Sequence, residues 1–268
     1  MRVSDIMGRK IVTVGEGDSL ALALQVMLWN GVHNLPVMRG ERLVGILSEG
    51  DVLRAEVEKP LKLATVVKEV MSPAEHVHPN ADLADAASDM STRKVDCLPV
   101  VDAGQLVGVL TRTDVLSNLA QCPVNPQAQQ GLTARDVMTR DPVCVAPDDL
   151  LLEAAARMTQ HGFRHLCVVD GSGEVIGMLS DRDLRSFVGN PLEAAQRQDA
   201  SLRLANLRVS HAMTEGPRIA VENTPIADLV NIFLLEHVGA LPVIDQDDRL
   251  CGIVSYIDVL RAVAAGVI

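Results

Sequence analysis

Four times along this chain a hydroxyl and a carboxylate stand three residues apart, where an apolar run gives way to a helical pattern. The stretches are Gly45-Ile46-Leu47-Ser48-Glu49-Gly50-Asp51-Val52, Gly108-Val109-Leu110-Thr111-Arg112-Thr113-Asp114-Val115, Gly177-Met178-Leu179-Ser180-Asp181-Arg182-Asp183-Leu184 and Gly252-Ile253-Val254-Ser255-Tyr256-Ile257-Asp258-Val259. Ser or Thr followed at the third position by an acid can cap a helix: the hydroxyl accepts an early N–H and the acid reaches back. A Glu or Gln would serve a cap as well, yet every copy carries Asp. The motif directly follows a strand, so the hydroxyl and the first helical N–H groups face one cleft, a natural seat for phosphate. An ionised Asp is acceptor-only with two oxygens, and can take the two vicinal hydroxyls of a sugar.

The elements that position these groups repeat with them. The motif Asp residues lie at 51, 114, 183 and 258, in steps of 63, 69 and 75. Leu35-Pro36-Val37, Leu98-Pro99-Val100, Leu166-Cys167-Val168 and Leu241-Pro242-Val243 step by 63, 68 and 75, and the segments ending at Met7, Met71, Met138 and Met213 by 64, 67 and 75. The chain is therefore four copies of one supersecondary unit. Each copy reads as an extended stretch, a turn, an amphipathic helix, a hairpin and a second helix. In the third copy Leu151, Ala154, Ala155 and Met158 share one helix face, and Gly171-Ser172-Gly173 marks the hairpin. A β-α-β-β-α unit of about 55 residues buries too little surface to stand alone, so pairing is expected.

The expected fold class is α/β (α+β), with two pseudo-twofold modules. Residues 1–120 form the first pair (repeats 1–55 and 67–120) and 132–268 the second (134–189 and 209–264). The Pro- and Gln-containing stretch 121–131 is the linker between them. Glu56 to Val66 joins the first two repeats, and a connector from Pro191 to Leu207, read as helical, joins the last two.

Composition bounds the function. Hydrophobic residues make up 48% and aromatics 2%, so the core is aliphatic and a bound base would be held by aliphatic and backbone contacts. A net charge of −11 argues against nonspecific nucleic-acid binding. The five cysteines form no C-x-x-C pair and no zinc spacing, and suggest reduced thiols in the cytoplasm. The longest apolar stretch, Leu20 to Trp29, is too short to span a bilayer. No catalytic constellation and no metal cluster is visible, so the chain is not expected to be an enzyme.

The order D-x-M, then LPV, then G-h-h-[ST]-x-x-D resembles the CBS domain, the repeat named after cystathionine β-synthase, over essentially the whole chain. The four-repeat layout is similar to the γ subunit of AMP-activated protein kinase, where two modules can form a flat disk around adenine nucleotides. The resemblance implies that Asp51, Asp114, Asp183 and Asp258 contact ribose and that Ser48, Thr111, Ser180 and Ser255 contact phosphate. It places basic residues just before LPV against phosphate across the pair. His33 would then serve the Asp114 cleft, and Arg164 with His165 the Asp258 cleft, while Asp96 and Gly239 occupy the same position in the other two repeats. Arg112 and Arg182 sit inside their motifs. Thr13 occupies a base-contact position, shared by His76, Cys144 and Ala220, and Tyr256 could stack on a base or simply be a partly exposed tyrosine. The Asp258 cleft would rank first, Asp114 second and Asp51 last.

The expected ligand is an adenine nucleotide (AMP, ADP or ATP), with S-adenosylmethionine the lesser alternative. The expected role is a regulatory, energy-sensing module, homodimeric and cytoplasmic, that signals occupancy to a regulated protein. The alternative is an interaction scaffold that kept the fold and lost the ligand.

Overall fold

A computed structural model describes residues 1–58, 65–121, 131–188 and 206–266. Most of the two expected connectors and of the 121–131 linker lies outside the described residues.

Each repeat runs as a short turn, a short strand, a helix, a hairpin and a closing helix. In the first repeat these are Val3–Ile6, Val14–Gly15, Leu20–Asn30, the hairpin Asn34–Arg39 with Arg42–Ser48, and Glu49–Glu58. The second has the helix Leu83–Arg93, the hairpin Cys97–Asp102 with Gln105–Thr111, and the helix Arg112–Gln121. The third has Leu151–His161, His165–Val169 with Val175–Ser180, and Asp181–Val188; the fourth has Ile226–Leu235, Ala240–Ile244 with Leu250–Ser255, and Tyr256–Ala264. Local chemistry sets the helix ends. Ser19 accepts the Leu22 N–H at 3.2 Å and Asp82 the Ala84 N–H at 2.9 Å. Three of these helices end in a left-handed residue, Gly31, Lys94 and Gly162 at φ 63, 55 and 64; the fourth is capped by right-handed Glu236, and His237 after it is left-handed at φ 55. That reversal sends the chain into the residues just before LPV.

The repeats of a pair are interlocked. The sheet of the first repeat runs Val14–Gly15, Asn34–Arg39, Arg42–Ser48 and then Ser72–Pro73, a strand donated by the second repeat. In return Gly8 bridges to Val109 on the second repeat's hairpin. The second pair does the same, Thr214–Glu215 edging the third repeat and Thr139–Arg140 the fourth. The methionine that closes each D-x-M segment therefore lies over its partner's motif glycine. A Cβ on Gly108 would stand 2.7 Å from Met7 Sδ and 3.0 Å from the Gly8 carbonyl; on Gly177 it would meet Met213 Sδ at 2.8 Å, and on Gly252 Met138 Sδ at 2.5 Å.

Helices then join the two pairs. Ala86, Ala87 and Met90 of the second repeat share one core with Tyr256, Val259, Leu260 and Phe233 of the fourth. Leu53 of the first repeat enters the core of the third beside Leu151, Ala155 and Leu184. The molecule is thus two pseudo-twofold pairs, sheet to sheet within a pair and helix to helix between pairs.

Interlocking makes a specific prediction. Gly108→Ala should lower stability in urea unfolding by on the order of 1–3 kcal/mol, because the new methyl overpacks against a partner's backbone. Gly17→Ala, with nothing within 4 Å of the added Cβ, should change it little. Equal stability of the two variants would contradict the exchange of segments.

Candidate functional site

The four hydroxyl–Asp motifs adopt one local geometry. In each, Asp Oδ2 accepts the backbone N–H of the Ser or Thr at 2.7–2.8 Å and its hydroxyl at 2.5–2.8 Å. The cap and any ligand role therefore divide between the two oxygens, and in two copies Oδ1 is also held by the protein. Asp51 Oδ1 accepts from Arg54 at 3.0 Å and from Ser72 Oγ at 2.7 Å. Asp258 Oδ1 accepts from Arg261 at 3.0 Å. Asp51 and Asp258 are only 4% and 5% exposed, whereas Asp114 and Asp183 are half-buried. Burial pushes the Asp258 carboxyl up, against the Ser255 and Arg261 contacts that lower it.

The pre-LPV residues of all four repeats line one cavity of about 440 Å³. Its walls contain Thr111, Arg112 and Thr113 on one side and Ser180, Arg182 and Asp183 on another. The Thr111 side is lined from the first repeat by Lys10, Val12, His33 and Pro36. The Asp183 side is lined from the fourth by Thr214, Arg218 and the 237–241 loop. Two clefts, one from each pair, open into a common space.

The cavity wall also carries the acids Glu49, Asp96, Asp181 and Asp183. Asp96 is ion-paired to Arg164, lies 3.7 Å from Arg112, and accepts a hydrogen bond from the Tyr256 hydroxyl. The Arg112 guanidinium sits 4.2 Å from the centre of the Tyr256 ring, a cation–π contact. Burial alone would raise the Asp96 carboxyl, but Arg164, Arg112 and Tyr256 together hold it below the usual carboxylate range. Nearby, Lys94 donates to the His161 carbonyl at 3.3 Å and lies 5.7 Å from the centre of the Phe163 ring, closing the seam between repeats two and three.

His165 packs onto Gly239. A Cβ there would meet the imidazole Cε1 and Nε2 at 2.6 Å, so the glycine is what admits the ring. Burial, opposed by Asp181 and reinforced by Arg112 and Arg164, pushes the imidazole down to about 4, so it is neutral at physiological pH.

Several expectations need correcting. Arg164, expected at the Asp258 cleft, reaches across to the opposite pair and is ion-paired to Asp96. Tyr256 is 2% exposed rather than partly exposed, its ring covered by Arg112 and its hydroxyl used. Ser255 and Asp258 do not line the cavity, nor does Asp114, whose neighbours Thr111 to Thr113 do, nor exposed Thr13, whose neighbour Val12 does. Ser48 reaches the wall but Asp51 lies behind it. His33 lines the cavity, and its Nδ1 lies 2.9 Å from Glu49 Oε2. Lys10 and Arg218, absent from the expected set, line the cavity from corresponding places in the first and fourth repeats, each just before an Ile. Aligning the repeats upstream of the helix would have found them.

A model of the CBS domain matches residues 3–58, 67–121, 134–190 and 209–265. The chain belongs to the CBS-domain family. A protein similar to it along its whole length is MJ1225 of Methanocaldococcus jannaschii, 28% identical over 275 residues, 94% of this chain and 95% of that one. The crystal structure of MJ1225, described as a candidate archaeal homologue of γ-AMPK, matches at a TM-score of 0.85 and 26% identity, covering 97% of this chain and 99% of that one. MJ1404 of the same organism is 25% identical over 270 residues, 98% of this chain and 62% of that protein. A conserved protein of Pyrococcus horikoshii shares the fold at a TM-score of 0.68 and 21% identity, over 98% of this chain and 100% of that one. Among the described residues, no helix is long and apolar enough to cross a membrane, and no group of metal-ligating side chains is clustered.

The neutral His165 of the third CBS repeat predicts a pH effect. Its pKa is depressed on folding, so between about pH 6.5 and 4 the unfolded chain binds a proton that the folded one does not. Stability is fully present above about 6.5 and falls as pH drops towards 4, by on the order of 2 kcal/mol. Urea unfolding of His165→Asn should lose that component. Parallel pH profiles for wild type and variant would contradict a buried neutral imidazole.

Proposed function

We propose that the chain is a regulatory module that binds adenosyl ligands, adenine nucleotides foremost, in the Asp114 and Asp183 clefts. Occupancy would then be signalled to a partner protein through the contacts between the two CBS pairs. The observation that carries this reading is the shared cavity. It collects the strand-end hydroxyls Thr111 and Ser180, two helix N-termini, and Lys10, Arg182 and Arg218 on a chain of net charge −11. Hydroxyls and N–H groups at helix starts receive phosphate. The Asp oxygen turned away from the cap, Oδ1 in Asp114, can receive a ribose diol. The aliphatic walls at Val12, Pro36, Val109 and Met178 suit an adenine held without aromatic stacking.

The same geometry revises the ranking of clefts. Asp51 and Asp258 are nearly buried and held by protein groups at both oxygens, whereas Asp114 and Asp183 are half-buried; Asp183 borders the cavity, and Asp114 follows Thr113, which does. In this reading those two acids are structural caps, and the ligand sites are at Asp114 and Asp183. Because the two clefts belong to opposite pairs, a ligand that binds one arrangement of the pairs better than another would shift the balance between them.

Thermal unfolding tests the reading. A ligand that binds only the folded chain at a hundredfold excess over Kd stabilises it by about 2.7 kcal/mol. AMP should raise the wild-type melting temperature, and Asp114→Ala and Asp183→Ala should each remove part of the rise. Asp258→Ala should lower the ligand-free melting temperature, through loss of a cap worth about 1 kcal/mol, yet keep the AMP shift. No shift with any adenosyl compound would support the scaffold alternative. A shift abolished by Asp258→Ala alone would return the site to the fourth repeat's motif.

A further inference from the structure

The pre-LPV position is acidic in a single repeat. His33-Asn34, Arg164-His165 and Gly239-Ala240 stand where the second repeat has Asp96-Cys97. The fold therefore does not demand an acid there, and the acid has been placed where it does most to the cavity. Its carboxylate pairs with Arg164 from the opposite CBS pair and stands beside Arg112 from its own repeat, with the Tyr256 hydroxyl as a third donor. All three charged side chains face the cavity, and they are 14%, 28% and 23% exposed for Asp96, Arg164 and Arg112. Two guanidiniums side by side are the groups that ordinarily receive a phosphate chain, because their planar donors match its oxygens.

We propose that Asp96 is a resident anion that occupies the cavity's paired guanidiniums and restricts it to ligands carrying at most one phosphate. A carboxylate between two arginines does the electrostatic work of a bound phosphate. A second or third phosphate entering from either cleft meets its like charge at close range, where repulsion in a partly buried site is strong. A single phosphate at Thr111 or Ser180 is a different case. It keeps a helix start and the cations Lys10, Arg182 and Arg218 of the same walls. The acid thus selects by phosphate number and leaves the adenosyl part of the ligand alone. The inference rests on the adenosyl reading only for the nucleotide arm of its test.

Calorimetric titration of the full chain with inorganic pyrophosphate, AMP and ATP tests it. Wild type should show no saturable pyrophosphate binding and should bind AMP more tightly than ATP by about tenfold. Asp96→Asn keeps an acceptor for Tyr256 and removes the charge. It should gain pyrophosphate binding and improve ATP relative to AMP by about tenfold or more. Wild type that binds pyrophosphate, or ATP as tightly as AMP, overturns the proposal, as does a folded Asp96→Asn that gains neither. If the variant does not fold, the wild-type pyrophosphate titration decides alone: saturable binding overturns the proposal and its absence supports it. Gain of pyrophosphate binding in a protein that takes up no adenosyl compound would sink the proposed function and leave the role of Asp96 standing. AMP binding with no gain on Asp96→Asn would do the reverse.

Discussion

A methionine from one repeat lies over the glycine of its partner, and the rest of the molecule depends on that contact. Each hairpin is completed at its edge by a segment that belongs, in chain order, to the other member of the pair. Met7 and Gly108, or Met213 and Gly177, are too close for any side chain to intervene. A repeat taken alone would lose both an edge strand and a piece of core, which is the physical content of its being too small to fold singly. The interlock also fixes which groups meet. It brings the first strand of one repeat against the motif of the other, so that Lys10 and Val12 border Thr111 rather than Ser48's own helix start alone.

Helix contacts between pairs then bring four loops to one place. Each loop leaves a helix through a left-handed residue, Gly31, Lys94, Gly162 or His237, and turns inward. Gathering basic loops around one cavity concentrates like charge, and Asp96 is the answer the chain uses on one side. Removing one partner of such a buried pair leaves an uncompensated charge, at a cost of about 3–5 kcal/mol. At Gly239 the contact is different, the fit of the His165 ring to a glycine. The two pairs are therefore similar in backbone and different in chemistry at their meeting point.

Much of this was legible in the residues. Repeat number, element order, hairpins and the cap geometry of Ser-x-x-Asp are short-range patterns, and each is a matter of spacing within a few turns of chain. The motif glycines were legible as landmarks, but their reason was not, because Met7 and Gly108 are a hundred residues apart in sequence. The same distance hid the partners of charged groups. Arg164 could be read as basic and adjacent to a strand, yet its choice of Asp96 depends on how the two pairs dock. Tyr256 reads as a partly exposed residue at a helix start, because nothing local announces that Arg112 from another repeat covers it. Asp258 was ranked first on the chemistry of neighbours that the docking assigns elsewhere. Spacing tells which side chains point the same way, whereas burial and competition among charges decide which remain available to a ligand.

Under the proposed function two of the four motifs, those of Asp114 and Asp183, are ligand sites and the other two are caps. The most direct measurement is ligand stoichiometry, by native mass spectrometry of the chain titrated with AMP. The account predicts saturation at two bound nucleotides per chain. Saturation at four, or at one that is lost with Asp258→Ala, would contradict it.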